Sequence, residues 1–146
     1  MSASVTKVLL TIHVLAAIVA IGPVTVAASM FPAAVRRSDT DAMRTLHRIC
    51  RVYAVLGLAV PVLGLATASS MGVLGDAWLL TSIGLTLIAA AVLGFAILPA
   101  QARVLGSSEA GGSPSPSLPM VAGVFNLLWA TVVVLMIVRP GSTTGV

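Results

Sequence analysis

Charged residues are scarce in this sequence, and their scarcity excludes an ordinary water-soluble domain. Of 146 residues, 8% are charged and 58% are apolar, whereas soluble domains are about 25% charged and about 45–50% apolar. A chain this short could not hide so much apolar surface from water. We therefore expect lipid to be the solvent around most of it.

Carboxylates and cysteines are rarer still. All four acidic residues lie outside the long apolar stretches: Asp39, Asp41, Asp76 and Glu109. Ion-coupled and proton-coupled transporters normally carry an ionisable group at membrane depth, so this absence disfavours a pump or exchanger. The single cysteine, Cys50, excludes an intrachain disulfide and any multi-cysteine metal site. Since no catalytic motif is present either, we expect a protein that is not an enzyme.

Four apolar stretches predict the fold. They cover residues 8–28, 52–70, 77–98 and 119–138, and at ~1.5 Å per residue each can cross a hydrocarbon layer of about 30 Å. The first is too long for the apolar part of a signal peptide, so we expect it to be retained. The sequence predicts one all-α integral membrane domain over residues 1–146, a four-transmembrane-helix bundle.

The arginines predict the orientation of the bundle. Six of the eight basic residues lie in the two connections that follow the first and third stretches: Arg36, Arg37, Arg44, Arg48, Arg51 and Arg103. The positive-inside rule then predicts cytoplasmic connections and external termini, in the inner (plasma) membrane of a bacterium. The charge indicates anionic lipid and not nucleic acid. We expect four arginines to contact the membrane surface: Arg37, Arg44, Arg48 and Arg51.

The two basic connections differ in character. Ser38 to Asp41 fits a capping box, and apolar and basic residues then recur at intervals of three and four. With no Pro or Gly between Thr40 and Leu56, a helix from about residue 40 is predicted to run unbroken into the second stretch. Residues 106–117, rich in Gly, Ser and Pro, predict a flexible linker.

Small and polar residues inside the stretches predict helix packing. Gly57, Pro61 and Gly64 would let helices approach closely. Ala90 and Gly94 are likewise four residues apart. Such small residues would pack either inside the bundle or against a partner. Pro61 and Pro23 should also kink their helices. Asn126 is expected to bond to a neighbouring helix, with ligand contact as the alternative. Trp129 fits either the bundle core or a groove for a lipid, a quinone or another subunit.

His13 has two interpretations. It lies in the first stretch, where it either bonds to a neighbouring helix or serves as the ligand of a haem, a metal or a small molecule. His47 precedes the second stretch on the opposite side, so both cannot bind one metal in the same chain. No cofactor is otherwise predicted.

The strings KVLLTIHVLAAIVAIGPVTVAASMFP and LHRICRVYAVLGLAVPVLGLATASSMGVLGDAWLL resemble a bacterial family of predicted four-helix integral membrane proteins that carries only a domain-of-unknown-function label. The likeness runs from about Lys7 to Gln101 and implies the fold alone. Around His13, the string IHVLAA is similar to copper-export-type membrane proteins, which would imply copper or haem handling. Those proteins continue with Trp and paired Gly where this chain has Ala20, Gly22 and Pro23.

Two functional hypotheses follow. In the first, the chain is a non-catalytic accessory or assembly-stabilising subunit of a larger membrane complex, with the respiratory chain as the suggested assembly. In the second, it is a carrier that binds haem, a metal or a small molecule through His13. Lipid and other membrane subunits are the expected partners.

Overall fold

The computed structural model describes residues 3–109 and 117–142, and these form helices and short turns. The elements are α1 (Ala3–Arg36), α2 (Thr40–Gly57), α3 (Ala59–Met71), α4 (Ala77–Ala91), a π-helical segment (Val92–Ile97), α5 (Leu98–Glu109) and α6 (Leu118–Val138). Within the described ranges, α2 with α3, and α4 with the π-helical segment and α5, each form one long segment. Together with α1 and α6 they make four segments long and apolar enough to cross a membrane.

The four segments form a closed ring of neighbours. α1 packs against α2, α3 and α6, while α4 packs against α6 and α2 packs against α5. Each long segment therefore contacts both its predecessor and its successor around the ring. The chain is an all-α bundle, as its apolar stretches predict.

Small side chains fill much of the bundle core. The main buried cluster joins residues from all four segments: Val24, Ala27, Ala28, Cys50, Ala89, Leu93, Ile97, Ala122 and Phe125. A second cluster, which includes Met43 and Val104, brings the end of α1, the start of α2 and α5 together. The six arginines lie at this end of the bundle, which we call the arginine-rich end, and all six are exposed.

Proline affects the segments unequally. α1 continues through Pro23 and Pro32. α2 runs without interruption from Thr40 into the second stretch, as expected, and the segment is then interrupted once, at Leu58. Pro61 has no N–H for the Gly57 carbonyl and its ring crowds that oxygen. At the interruption, the Leu58 N–H donates to the carbonyl of Val55, three residues earlier, at 3.1 Å.

The third segment is longer than its apolar stretch. Helix continues past residue 98 and through Pro99 to Glu109. A widened π-helical turn ends at Ile97, two residues before Pro99, and accommodates the ring that would crowd the Phe95 carbonyl in a regular α-helix. Residues 106–109, predicted as the start of a linker, are therefore helical. Residues 110–116 of that predicted linker lie outside the described residues.

The start of α2 is capped differently from the predicted capping box. Asp39, and not Ser38, is the cap: its carboxylate accepts a hydrogen bond from the Ala42 N–H at 2.9 Å. Ser38 precedes it with a φ of 54°, in the left-handed region. The chain thus turns at Ser38 before the helix begins at Thr40.

Candidate functional site

His13 ties α1 to α3. Its Nδ1 lies 3.0 Å from the carbonyl oxygen of Val60. Because a carbonyl only accepts, Nδ1 carries the hydrogen and donates it. Val60 directly precedes Pro61 and lies just after the interruption at Leu58. The imidazole therefore bonds to the backbone at the least regular turn of the second segment.

Two glycines make room for α1. A Cβ added at Gly64 would lie 2.9 Å from Cε1 of His13, which is closer than real Cβ atoms approach. A Cβ at Gly57 would meet Cδ1 of Ile21 at 3.4 Å. Both glycines thus face α1, while Pro61 is half-buried between them. Because Gly64 has no side chain, it leaves the space that the imidazole of His13 occupies.

His47 belongs to a different network, between α2 and α5. Its Nδ1 lies 3.0 Å from Oε1 of Gln101, and Nε2 of Gln101 donates to Sγ of Cys50 at 3.6 Å. Gln101 and Cys50 are both 0% exposed. Sequence reasoning missed Gln101, although its spacing from the buried Ile97 and Val104 would place all three on one helix face.

The two histidines do not form a metal centre. His13 bonds to α3 and His47 bonds to α5. Throughout residues 3–109 and 117–142, no group of three or more His, Cys, Asp or Glu side chains is placed to hold a metal ion. A closed structural site for zinc needs four such ligands.

Asn126 and Trp129 form a second polar position, between α6 and α1. Nδ2 of Asn126 donates to Oγ of Ser29 at 2.8 Å. Oδ1 of Asn126 and Nε1 of Trp129 are buried and have no partner among the described residues. The indole also packs edge-on to Phe125, with ring centroids 6.3 Å apart. One acceptor and one donor are therefore left unpaired one turn apart.

The exposed arginines differ in their surroundings. Arg44 pairs with Asp41 at 3.4 Å, and both side chains are largely exposed, so this ion pair contributes about 0–1 kcal/mol. Arg37 is exposed at the turn between α1 and α2. A shallow groove of about 700 Å³, wide open to the outside, lies along α2, and all the described side chains that line it belong to that helix. The side chains that line it change from basic to apolar along the helix: His47, Arg48, Arg51, Val52, Val55 and Leu56.

The opposite end of the bundle carries a small charged and aromatic cluster. The guanidinium of Arg139 lies 5.4 Å from the centre of the Trp78 ring. The Trp78 N–H donates to a carboxylate oxygen of Asp76 at 2.9 Å. Trp78 is 5% exposed, and its contacts with Arg139 and with the cluster against which Met136 packs join the start of α4 to the end of α6.

One outward face of the third segment carries small residues. Ala90, Ala91 and Gly94 are exposed, and a Cβ at Gly94 would meet nothing within 4 Å. Phe95, beside them in the π-helical segment, is 84% exposed. Ala90 and Gly94 were predicted to pack either inside the bundle or against a partner. Their exposure disfavours packing inside the bundle. We call these four residues the π-turn face.

No family model matches the chain, and comparisons with curated proteins and with solved structures also find no match. The class of protein is thus defined by the fold alone. Within the described residues, the chain is a helical bundle whose four long segments are able to cross a membrane.

Proposed function

We propose that this chain is a non-catalytic membrane protein that packs beside other membrane subunits, as an accessory or assembly-stabilising component of a larger complex. The observation that carries the proposal is the π-turn face, where small residues of a lipid-depth helix point away from their own bundle.

Small residues on an outward face favour a protein neighbour. In lipid, helices associate mainly through van der Waals contact between closely approaching backbones, which Gly and Ala permit. At Gly94 the backbone is open to the outside, and Phe95 beside it supplies a large ring that a partner can cover. Widened π-turns also occur often at functional positions of helices.

The polar side chains at membrane depth support the non-catalytic role. His13 and Asn126 bond to other helices of the same bundle. Hydroxyls such as those of Thr67 and Ser82 donate to carbonyls of their own helices. Among these groups, His13 and Asn126 join helices of the bundle, and the two hydroxyls are satisfied within their own helices, which supports a structural role for them.

Co-purification of an affinity-tagged chain from native membranes in mild detergent tests the proposal. We expect other membrane proteins to be recovered with the wild-type chain, and Gly94→Leu to lower their recovery by at least about tenfold, because the added side chain holds the helices apart. Mass spectrometry of the recovered proteins tests the respiratory-chain suggestion.

Gly123→Leu is the matched control. Gly123 is exposed on α6, and a Cβ there also meets nothing within 4 Å. This variant should retain the partners. Recovery of the wild-type chain alone, or equal losses in the two variants, contradicts the proposal.

The second candidate function is a carrier that binds haem, a metal or a small molecule through His13. The bond from Nδ1 to the Val60 carbonyl favours it, because histidine ligands commonly donate one ring N–H to a carbonyl while the other nitrogen binds. A visible spectrum and the metal content of the purified protein test this function. A ligand-free preparation that also fails to take up added haem contradicts it.

A further inference from the structure

The groove along α2 has an uncompensated positive end. Arg48 and Arg51 are exposed, and none of the three carboxylates whose side chains the structure describes, those of Asp39, Asp41 and Asp76, lies within ion-pairing distance of either one. Asp41, on the same helix, pairs with Arg44 instead. Two guanidinium groups one turn apart are suited to a phosphate, since each can donate two parallel hydrogen bonds.

A buried amide orients the third polar group of the groove. Burying an amide is unfavourable unless its hydrogen bonds are satisfied, and the fully buried Gln101 uses its oxygen on His47 and its nitrogen on Cys50. Nδ1 of His47 is therefore turned toward α5, and the opposite ring edge, with Nε2, is turned away from Gln101. Because Nδ1 is used on Gln101, Nε2 is the ring nitrogen of His47 that remains to hydrogen-bond to a lipid headgroup.

The other end of the groove is apolar and exposed. Val52, Val55 and Leu56 are 48%, 68% and 52% exposed. From His47 to Leu56 the helix rises about 14 Å, which is enough for a headgroup at one end and the beginning of an acyl chain at the other. A free phosphate would make no use of this apolar wall.

We propose that this groove binds a phospholipid with an anionic headgroup. Arg48 and Arg51 hold the phosphate, the Gln101-oriented His47 contacts the headgroup, and an acyl chain lies along Val52, Val55 and Leu56. The charge complementarity and the adjoining apolar face of α2 together favour a bound lipid, in contrast to the general attraction that all six exposed arginines exert on a membrane surface.

Native mass spectrometry of the full-length protein in detergent, mixed with phosphatidylglycerol or with phosphatidylcholine of the same acyl chains, tests the proposal. We expect one phosphatidylglycerol to bind preferentially. Arg48→Gln with Arg51→Gln should weaken that binding by at least about tenfold, as two charge-assisted contacts are lost. His47→Ala should weaken it less, by about threefold, because the arginines remain.

The matched control is Arg36→Gln with Arg37→Gln, which removes the same charge from two exposed arginines outside the groove. It should leave the bound fraction unchanged, and an excess of glycerol 3-phosphate should not displace the lipid. Four results would each overturn the proposal: equal binding of both lipids, undiminished binding by the groove variant, an equal loss in the control, or displacement by glycerol 3-phosphate. Circular dichroism checks that each variant is folded.

Discussion

At the scale of single residues, His13 and Gly64 act as a pair. A polar ring inside an apolar bundle is unfavourable unless it is bonded, and the Val60 carbonyl supplies that bond. The ring can reach the carbonyl because Gly64 has no side chain to occupy its place. The bond and the packing at this position therefore depend on each other.

Gly64→Ala should lower the free energy of unfolding by about 1–3 kcal/mol, the usual cost of forcing an extra methyl into a packed position. The new Cβ would lie 2.9 Å from Cε1 of His13, so the ring must move away from Val60. Unfolding by a denaturing detergent, followed by circular dichroism, measures the effect.

Gly123→Ala is the control, because a Cβ there meets nothing within 4 Å. It should leave stability unchanged or raise it slightly, since Ala favours helix more than Gly does. The effects of His13→Ala and Gly64→Ala should be non-additive, as the clash disappears with the imidazole. A Gly64→Ala protein as stable as the wild type contradicts this account.

At the scale of the helices, a single carboxylate defines where α2 begins. The Asp39 side chain accepts from the Ala42 N–H at 2.9 Å, which satisfies one of the unpaired donors of the first turn. Ser38 has the preceding position and a positive φ, so its role is to turn the chain between α1 and α2.

Asp39→Ala should lower the free energy of unfolding by about 1 kcal/mol, the typical effect of removing an N-cap side chain. Ser38→Gly should not lower it, because glycine adopts a positive φ without strain. Chemical unfolding of the two variants side by side separates these roles. If Ser38→Gly were the more damaging change, the cap would belong to Ser38, as the capping-box pattern predicted.

Long apolar runs were predictable from the sequence, whereas the partners of polar residues were not. The stretch 119–138 differs from α6 by a single residue at its start, because hydropathy and length are local properties. The Val60 partner of His13 and the Gln101 partner of His47 are 47 and 54 residues away along the chain. Such pairs depend on how the segments are arranged around the ring.

The prolines also show what the sequence alone does not predict, because the same residue type affects different helices differently. The rule that Pro disrupts a helix holds at Pro61, where Leu58 interrupts the segment. α1 nevertheless continues through Pro23, and the third segment continues through Pro99 after a π-helical turn. The backbone can adjust in several ways around a missing N–H. The choice among them depends on packing that a local pattern does not contain.

At the scale of the whole molecule, the two ends differ in charge. Six exposed arginines gather at the arginine-rich end, while the other end holds the cluster of Asp76, Trp78 and Arg139. Carrying six guanidinium groups across a bilayer during insertion is less favourable than carrying the two basic groups of the other end, Lys7 and Arg139. This difference in charge is the physical basis of the predicted orientation, in which the arginine-rich end lies in the cytoplasm.

Cysteine labelling of intact bacterial cells with a membrane-impermeant maleimide tests the orientation. Leu74→Cys, at an exposed turn position of the end opposite the arginines, should react. Thr45→Cys, on the exposed surface of α2, should react only after the cells are permeabilised, because the bilayer shields the cytoplasmic end. The wild-type chain is the control and should stay unlabelled, since its Cys50 is 0% exposed. Labelling of Thr45→Cys and not of Leu74→Cys in intact cells would show the opposite orientation, and the arginines would then not determine how this bundle inserts.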